Sequence, residues 1–150
     1  MNRGRVAIGL DVGNARIGVA RGDFEVCLAS PLPMLPNDAA VFEKLTKLAQ
    51  EDHASVVVIG LPRNATGQET AQSQLSRDFA AELTKHLDVK IHFQDESLTS
   101  VLAEKNLRAR KNFQEKYLRD GTLDSEAAAL ILQDFLDNNS DEKEAQNGNS

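Results

Sequence analysis

The chain has 150 residues, 41% hydrophobic and 27% charged, with a formal net charge of -6 and a single cysteine. That length supports one buried core. No stretch reaches the roughly 18 consecutive apolar residues of a membrane span, and the N-terminus lacks the apolar region and cleavage site of a secretory leader, so a cytoplasmic protein without membrane contact is expected. The single cysteine, Cys27, cannot form an internal disulfide, and no Cys pair or HxxxH spacing suggests zinc.

Residues 5–10 read as a strand entering Asp11, with Gly13 and Asn14 marking a turn. Residues 16–20 form a second strand, close enough for an antiparallel hairpin, and 25–35 a third ending among Pro31, Pro33 and Pro36. Val41, Leu45 and Leu48 share one face of a helix over 39–52. Val56 to Ile59 is a continuous β-branched run, the pattern of a strand covered on both faces. Residues 62–68 form a loop. Leu75, Phe79, Leu83 and Leu87 form a four-residue stripe on a helix over 70–87. A strand over 90–93 runs out into Asp95 and Glu96. A helix over 99–109 has Thr99 as a possible cap, residues 110–121 read as a mobile basic loop, and a last helix over 122–137 has Thr122 as a possible cap. The polar composition of 138–150 predicts a disordered acidic tail. The fold class is α/β, with five strands in a mixed sheet and helices on its faces, and the folded domain is expected over 1–137.

Charge is uneven. From Asp137 onward four acids stand against Lys143, which leaves residues 1–136 at -3. Between Lys105 and Arg119 there are six cations and one anion, Glu115. Such a run is often a solvated helix face, but beside an acidic site it suits a phosphate-bearing substrate.

Asp11 ends an apolar strand before a glycine turn, and Glu96 follows a strand just before a helix. Asp124 lies in the first turn of the last helix, in line with Ala128, Ile131 and Phe135. Taken singly, each has an ordinary explanation, since acids complement helix N-termini and populate loops, and Asp95 competes with Glu96. Together they fit phosphodiester hydrolysis, in which two hard cations roughly 4 Å apart activate water and stabilise the leaving oxygen. Carboxylates plus substrate phosphate suffice for Mg²⁺ or Mn²⁺, two ions being expected.

The segments Ile8–Ala20, Ile59–Gly67, Asp95–Ser100 and Leu123–Gln133 resemble, in order, four blocks of the YqgF family, described as Holliday-junction resolvases and as pre-16S ribosomal RNA nucleases. The resemblance covers about residues 5 to 137. It implies a ribonuclease H-like fold, metal binding and catalysis by Asp11, Glu96 and Asp124, and a role in maturing the 5′ end of small-subunit ribosomal RNA. Ser97 stands where the family usually has Arg, so the resemblance does not carry over a phosphate contact there. Ala65-Thr66 and Glu126 are further departures.

Substrate contacts are expected from Arg16, Arg63, Asn64, Arg108, Arg110, Lys111 and Lys116. Arg16 is equally placed to pair with Asp23, and Asn64 to shape its own turn. With aromatic content of 5% and no Trp, backbone and shape recognition is expected over base stacking. The expected partner is nucleic acid, precursor ribosomal RNA first and branched DNA second, bound by a monomer or a homodimer. A four-way junction resolvase would be a two-fold dimer. A sugar-kinase or actin-like phosphotransferase shares the Gly-x-Asp-x-Gly opening but needs a second lobe. A non-catalytic binding module would not need the three carboxylates.

Overall fold

The structure, a computed structural model, describes residues 5–64, 66–96 and 99–148, with side chains through residue 139. Five strands, β1 (Val6–Val12), β2 (Arg16–Asp23), β3 (Leu28–Pro36), β4 (Ala54–Pro62) and β5 (Lys90–Glu96), form one sheet in the order β3-β2-β1-β4-β5. The β1–β2 and β2–β3 pairs are antiparallel, and β1–β4 and β4–β5 are parallel. This is the mixed five-stranded sheet of a ribonuclease H-like fold. The prolines of β3 are tolerated because β3 is an edge strand.

Strand alternation divides the core. Ile8, Leu10, Val12, Ile17, Val19, Val57 and Ile59 face helices α1 (Val41–Glu51) and α2 (Ala71–Leu83). Ala7, Ala20, Val56 and Val58 face the last helix, α4 (Thr122–Gly148), through Ala128, Ile131, Leu132, Phe135 and Leu136. On that second face the strands also carry Gly9, Gly18 and Gly60. A Cβ on Gly9 would lie 2.8 Å from Leu132 Cβ and 3.0 Å from the Ala128 carbonyl oxygen. Small residues therefore let α4 lie directly on the sheet, which fixes where its first turn can be.

α2 begins at Thr70, which forms a capping box with Ser73, and ends at Leu83, short of the expected 87. Leu87 stays in the core by way of a turn. α3 (Thr99–Arg108) packs on α4, burying Ala103 and Leu107. One expected cap differs. Thr122 is itself held by Asp120, whose Oδ1 accepts from the Thr122 amide at 3.0 Å and its hydroxyl at 2.6 Å. The expected mobile loop contains a short 3-10 helix, Glu115–Leu118, and backbone hydrogen bonds at Phe113, Tyr117 and Arg119.

The backbone of α4 continues to Gly148, past the expected boundary at 137 and through most of the segment whose composition predicts disorder. The physical reason is that extending an existing helix avoids the cost of nucleation, and Glu, Lys, Ala and Gln are good helix formers. Residues 149 and 150, Ala65 and Ser97 lie outside the described residues, so the departures at Ala65 and Ser97 do too. No helix among the described residues is long and apolar enough to cross a membrane.

Candidate active site

Asp11 follows Ala7 and Gly9 along β1 and so projects from the α4 face. Its cross-strand neighbour on β2 is Gly18. A Cβ on Gly18 would collide with the Asp124 carbonyl oxygen, so the missing side chain seats the first turn of α4 beside Asp11. A second tie fixes the same turn. The β2–β3 register slips between Ile17 and Val19, and the Val19 amide donates to Ser125 Oγ at 3.1 Å. Ser125 is buried.

Glu96 ends β5 on the same face, in register with Pro62. Its carboxylate folds back over β4, where a Cβ on Gly60 would lie 3.3 Å from both Glu96 Cδ and Oε2. Three carboxylates from β1, β5 and α4 thus converge at one end of the sheet.

The electrostatics follow from that convergence. Burial pushes the Asp11 carboxyl from 3.8 to about 7, with the neighbouring Glu96 and Asp124 charges adding to the rise. Glu96 is raised by burial, partly offset by the Thr99 hydroxyl donating to it. Asp124 has a cationic partner, Arg16 Nε at 3.2 Å. Arg16 Nη1 also donates to the Arg119 carbonyl at 2.6 Å. Arg16 therefore pairs with Asp124 and not with Asp23, because residues 16 and 18 share the α4 face.

Among the described residues no three His, Cys, Asp or Glu side chains form a group that could by itself enclose a metal ion. The arrangement is not a closed protein cage. It is a partly buried Asp with two acidic neighbours and one Arg, a local excess of negative charge that a hard divalent cation would relieve, with water and phosphate oxygens completing its shell.

The other expected contact residues are spread out. Arg63 pairs with Asp95 at 2.9 Å and donates to the Gly67 carbonyl at 3.1 Å. Asn64 Oδ1 accepts from the Thr66 amide and hydroxyl and the Gln68 amide, so Asn64 shapes its own loop. Arg108 pairs with Glu104 and Glu115. Arg110 forks onto the buried Glu126, with its Nη2 2.8 and 2.9 Å from the two carboxylate oxygens. Lys111 and Lys116 stay exposed on the surface beyond α3. Gly18, Gly60, Ser125 and the Arg119 carbonyl were not singled out in the sequence. The signal for the glycines was their parity with Asp11 and Glu96.

Residues 5–138 match the model of the family described as "RuvX: Holliday junction resolvase". The chain belongs to this family. Over 144 residues it is 42% identical to a protein of Sulfurihydrogenibium sp. named "Putative pre-16S rRNA nuclease", covering 93% of this chain and 95% of that one. A protein of Neisseria gonorrhoeae with the same name is 39% identical over 134 residues, covering 87% of each chain. Among solved structures, the fowlpox virus Holliday junction resolvase aligns with a TM-score of 0.53 at 9% identity, covering 89% of this chain and 99% of that one. RuvC of T. thermophilus in complex with a Holliday junction substrate aligns with a TM-score of 0.50 at 12% identity, covering 85% and 91%. At those identities the likeness speaks for the fold, and it is the fold read from the sheet. Membership of this family makes the chain a nuclease, a hydrolase of phosphodiester bonds.

Proposed function

We propose that this RuvX-family nuclease uses Mg²⁺ or Mn²⁺ held by Asp11, Glu96 and Asp124, and that its substrate is the 5′ region of precursor 16S ribosomal RNA. The observation that carries the catalytic assignment is Asp11, whose carboxyl is raised to about 7 by burial and by its two acidic neighbours. Such a group wants a cation near neutral pH. When bound, divalent ions at this place supply an activated water and neutralise charge on the leaving oxygen.

The chain's own residues do the rest. Asp11, on the central hairpin, presents its carboxylate from a rigid strand. The Thr99 hydroxyl beside Glu96 favours its charged form. Arg16 holds Asp124 in place and, were Asp124 to ligate an ion, the Arg16 guanidinium would be available to an incoming phosphate. Beyond α3, the exposed Lys111 and Lys116 contact the substrate backbone. Arg108 and Arg63, each already paired with an acid, give weaker contacts, while Arg110 acts chiefly by tying its segment to α4 and Asn64 by shaping its own loop.

The substrate follows from the shared name of relatives at 42% and 39% identity. A second reading, a resolvase of four-way DNA junctions, is supported by the family's description and would require a two-fold dimer. Labelled precursor ribosomal RNA and a four-way DNA junction, each with Mg²⁺ or Mn²⁺ and with wild type or Asp11→Asn, separate the two. RNA cleavage dependent on both metal and Asp11 supports the first reading, and junction cleavage with that dependence supports the second. Cleavage by Asp11→Asn at the wild-type rate would remove the carboxylate mechanism from both.

A further inference from the structure

Beyond the carboxylates, the segment joining α3 to α4 folds around a cavity of about 320 Å³ lined by Leu107, Lys111, Asn112, Phe113, Tyr117 and Thr122. That volume sits at the low end of small-ligand sites, roughly 300–1,000 Å³. The Phe113 and Tyr117 rings meet edge to face, with centroids 6.4 Å apart at 74°. Both are half-buried. Each ring carries a cation. The Arg108 guanidinium carbon lies 5.6 Å from the Phe113 centroid, and Lys116 Nζ 5.9 Å from the Tyr117 centroid.

The charges around this cavity are not equivalent. Arg110 is spent on Glu126, and Arg108 on Glu104 and Glu115. Lys111 and Lys116 form no ion pair among the described residues. Among its lining, the apolar Leu107, two aromatic rings, an amide at Asn112 and, beside them, two ammonium groups outside any close ion pair among the described residues suit a flat, hydrogen-bonding ring attached to an anionic chain. That is a nucleobase on its phosphodiester strand.

We propose that this cavity receives one unpaired nucleobase of the strand being cut. The inference rests on the nuclease reading and narrows its substrate class to strands with a single-stranded nucleotide close to the scissile phosphate. The connection to the active site is covalent and short. Thr122 lines the cavity two residues before Asp124, and Arg119, between Tyr117 and Thr122, holds Arg16 through its carbonyl. A base within a duplex is stacked and paired and cannot enter. A flipped or unpaired base can stack on Phe113 or Tyr117 while Lys111 and Lys116 meet the adjoining phosphates.

The test is binding by the full chain in EDTA, so that no cleavage competes. The probes are a single-stranded RNA oligonucleotide containing 2-aminopurine, the same sequence fully paired, and a free nucleoside monophosphate. Wild type is expected to quench the single-stranded probe and to bind it about tenfold more tightly than Phe113→Leu does, while both bind the duplex equally. Tyr117→Phe, which keeps the aromatic face, should behave as wild type, and circular dichroism checks that each variant is folded.

Equal binding of the single strand by wild type and Phe113→Leu, or no binding by wild type, overturns the proposal. So does binding of the free monophosphate as tight as that of the strand. Cleavage in Mg²⁺ is read separately. A chain that cuts but ignores Phe113→Leu loses the base pocket and keeps the nuclease reading. A chain that quenches but never cuts keeps the pocket and loses the nuclease reading.

Discussion

Asp11 and Gly18 stand opposite each other across the β1–β2 hairpin, one contributing a carboxylate and the other an absence of side chain. The pair works as a unit, because the space above Gly18 is where the Asp124 backbone sits. Moving α4 away from β2 would separate two of the three carboxylates without changing any of them.

Gly18→Ala tests that relationship. The new methyl group has no room against the Asp124 carbonyl, so α4 must shift or the hairpin must bend. Overpacking of this kind costs about 1–3 kcal/mol. Denaturant unfolding should show that loss, and cleavage at a temperature where the variant is folded should fall at least tenfold. Full activity in a folded Gly18→Ala protein would mean that α4 contact at this point does not set the site.

The raised Asp11 carboxyl predicts a particular pH dependence. Its folded value of about 7 lies above its ordinary 3.8, so the folded protein holds this proton more tightly than the unfolded chain does. The stability it contributes is complete below about pH 4 and is lost as pH rises through 7. Metal-free Asp11→Asn should therefore exceed wild type at pH 8 by about 2 kcal/mol, less than the full shift implies because water reaches part of the site. The advantage should vanish near pH 4. Millimolar Mg²⁺ should raise the wild-type melting temperature more at pH 8 than at pH 6. Thermal melts across this range, with and without Mg²⁺, are the check, and a wild type more stable than Asp11→Asn at pH 8 without metal would contradict it.

In the metal site proposed above, Arg16 and a divalent cation would compete for Asp124, which Arg16 pairs with at 3.2 Å. The ion pair is partly exposed and stabilises the fold by no more than about 1 kcal/mol. Its removal would free the Asp124 carboxylate for the proposed metal. Arg16→Gln should leave the melting temperature within a few degrees of wild type and tighten Mn²⁺ binding several-fold, as read by calorimetry. Weaker Mn²⁺ binding would show that Arg16 supports the ion site instead of competing with it.

Arg110 and Glu126 form the buried end of the basic segment. Glu126 is 5% exposed, so Arg110→Ala leaves a carboxylate with little water and no partner. That loss should cost about 2–3 kcal/mol, discounted because the Arg110 side chain is itself half exposed. Arg110→Ala combined with Glu126→Ala should recover part of it. A double-mutant cycle gives the coupling, and a value near zero would make the contact incidental.

Much of this was legible in the residues alone. The apolar run leading into Asp11 and the β-branched run of β4 specify strands, because a short apolar stretch bounded by turns is the pattern of a strand covered on both faces. The Leu and Phe spacing of α2 specifies a helix for the same reason. The order of the elements and the termini at which Asp11, Glu96 and Asp124 fall require no coordinates, and neither does the family resemblance of the four blocks.

What the tertiary structure decided is which distant groups meet. Arg16 chose Asp124, 108 positions away, over nearby Asp23 because of its strand face. Arg110 went to Glu126, 16 positions on and buried near the start of α4. The low aromatic content pointed away from base stacking, yet Phe113 and Tyr117 meet over one cavity. Local periodicity determines elements because backbone geometry repeats over a few residues. Partners depend on how closely α4 can approach the sheet, and that is decided by the volumes of Gly9, Gly18 and Gly60 acting together across three strands.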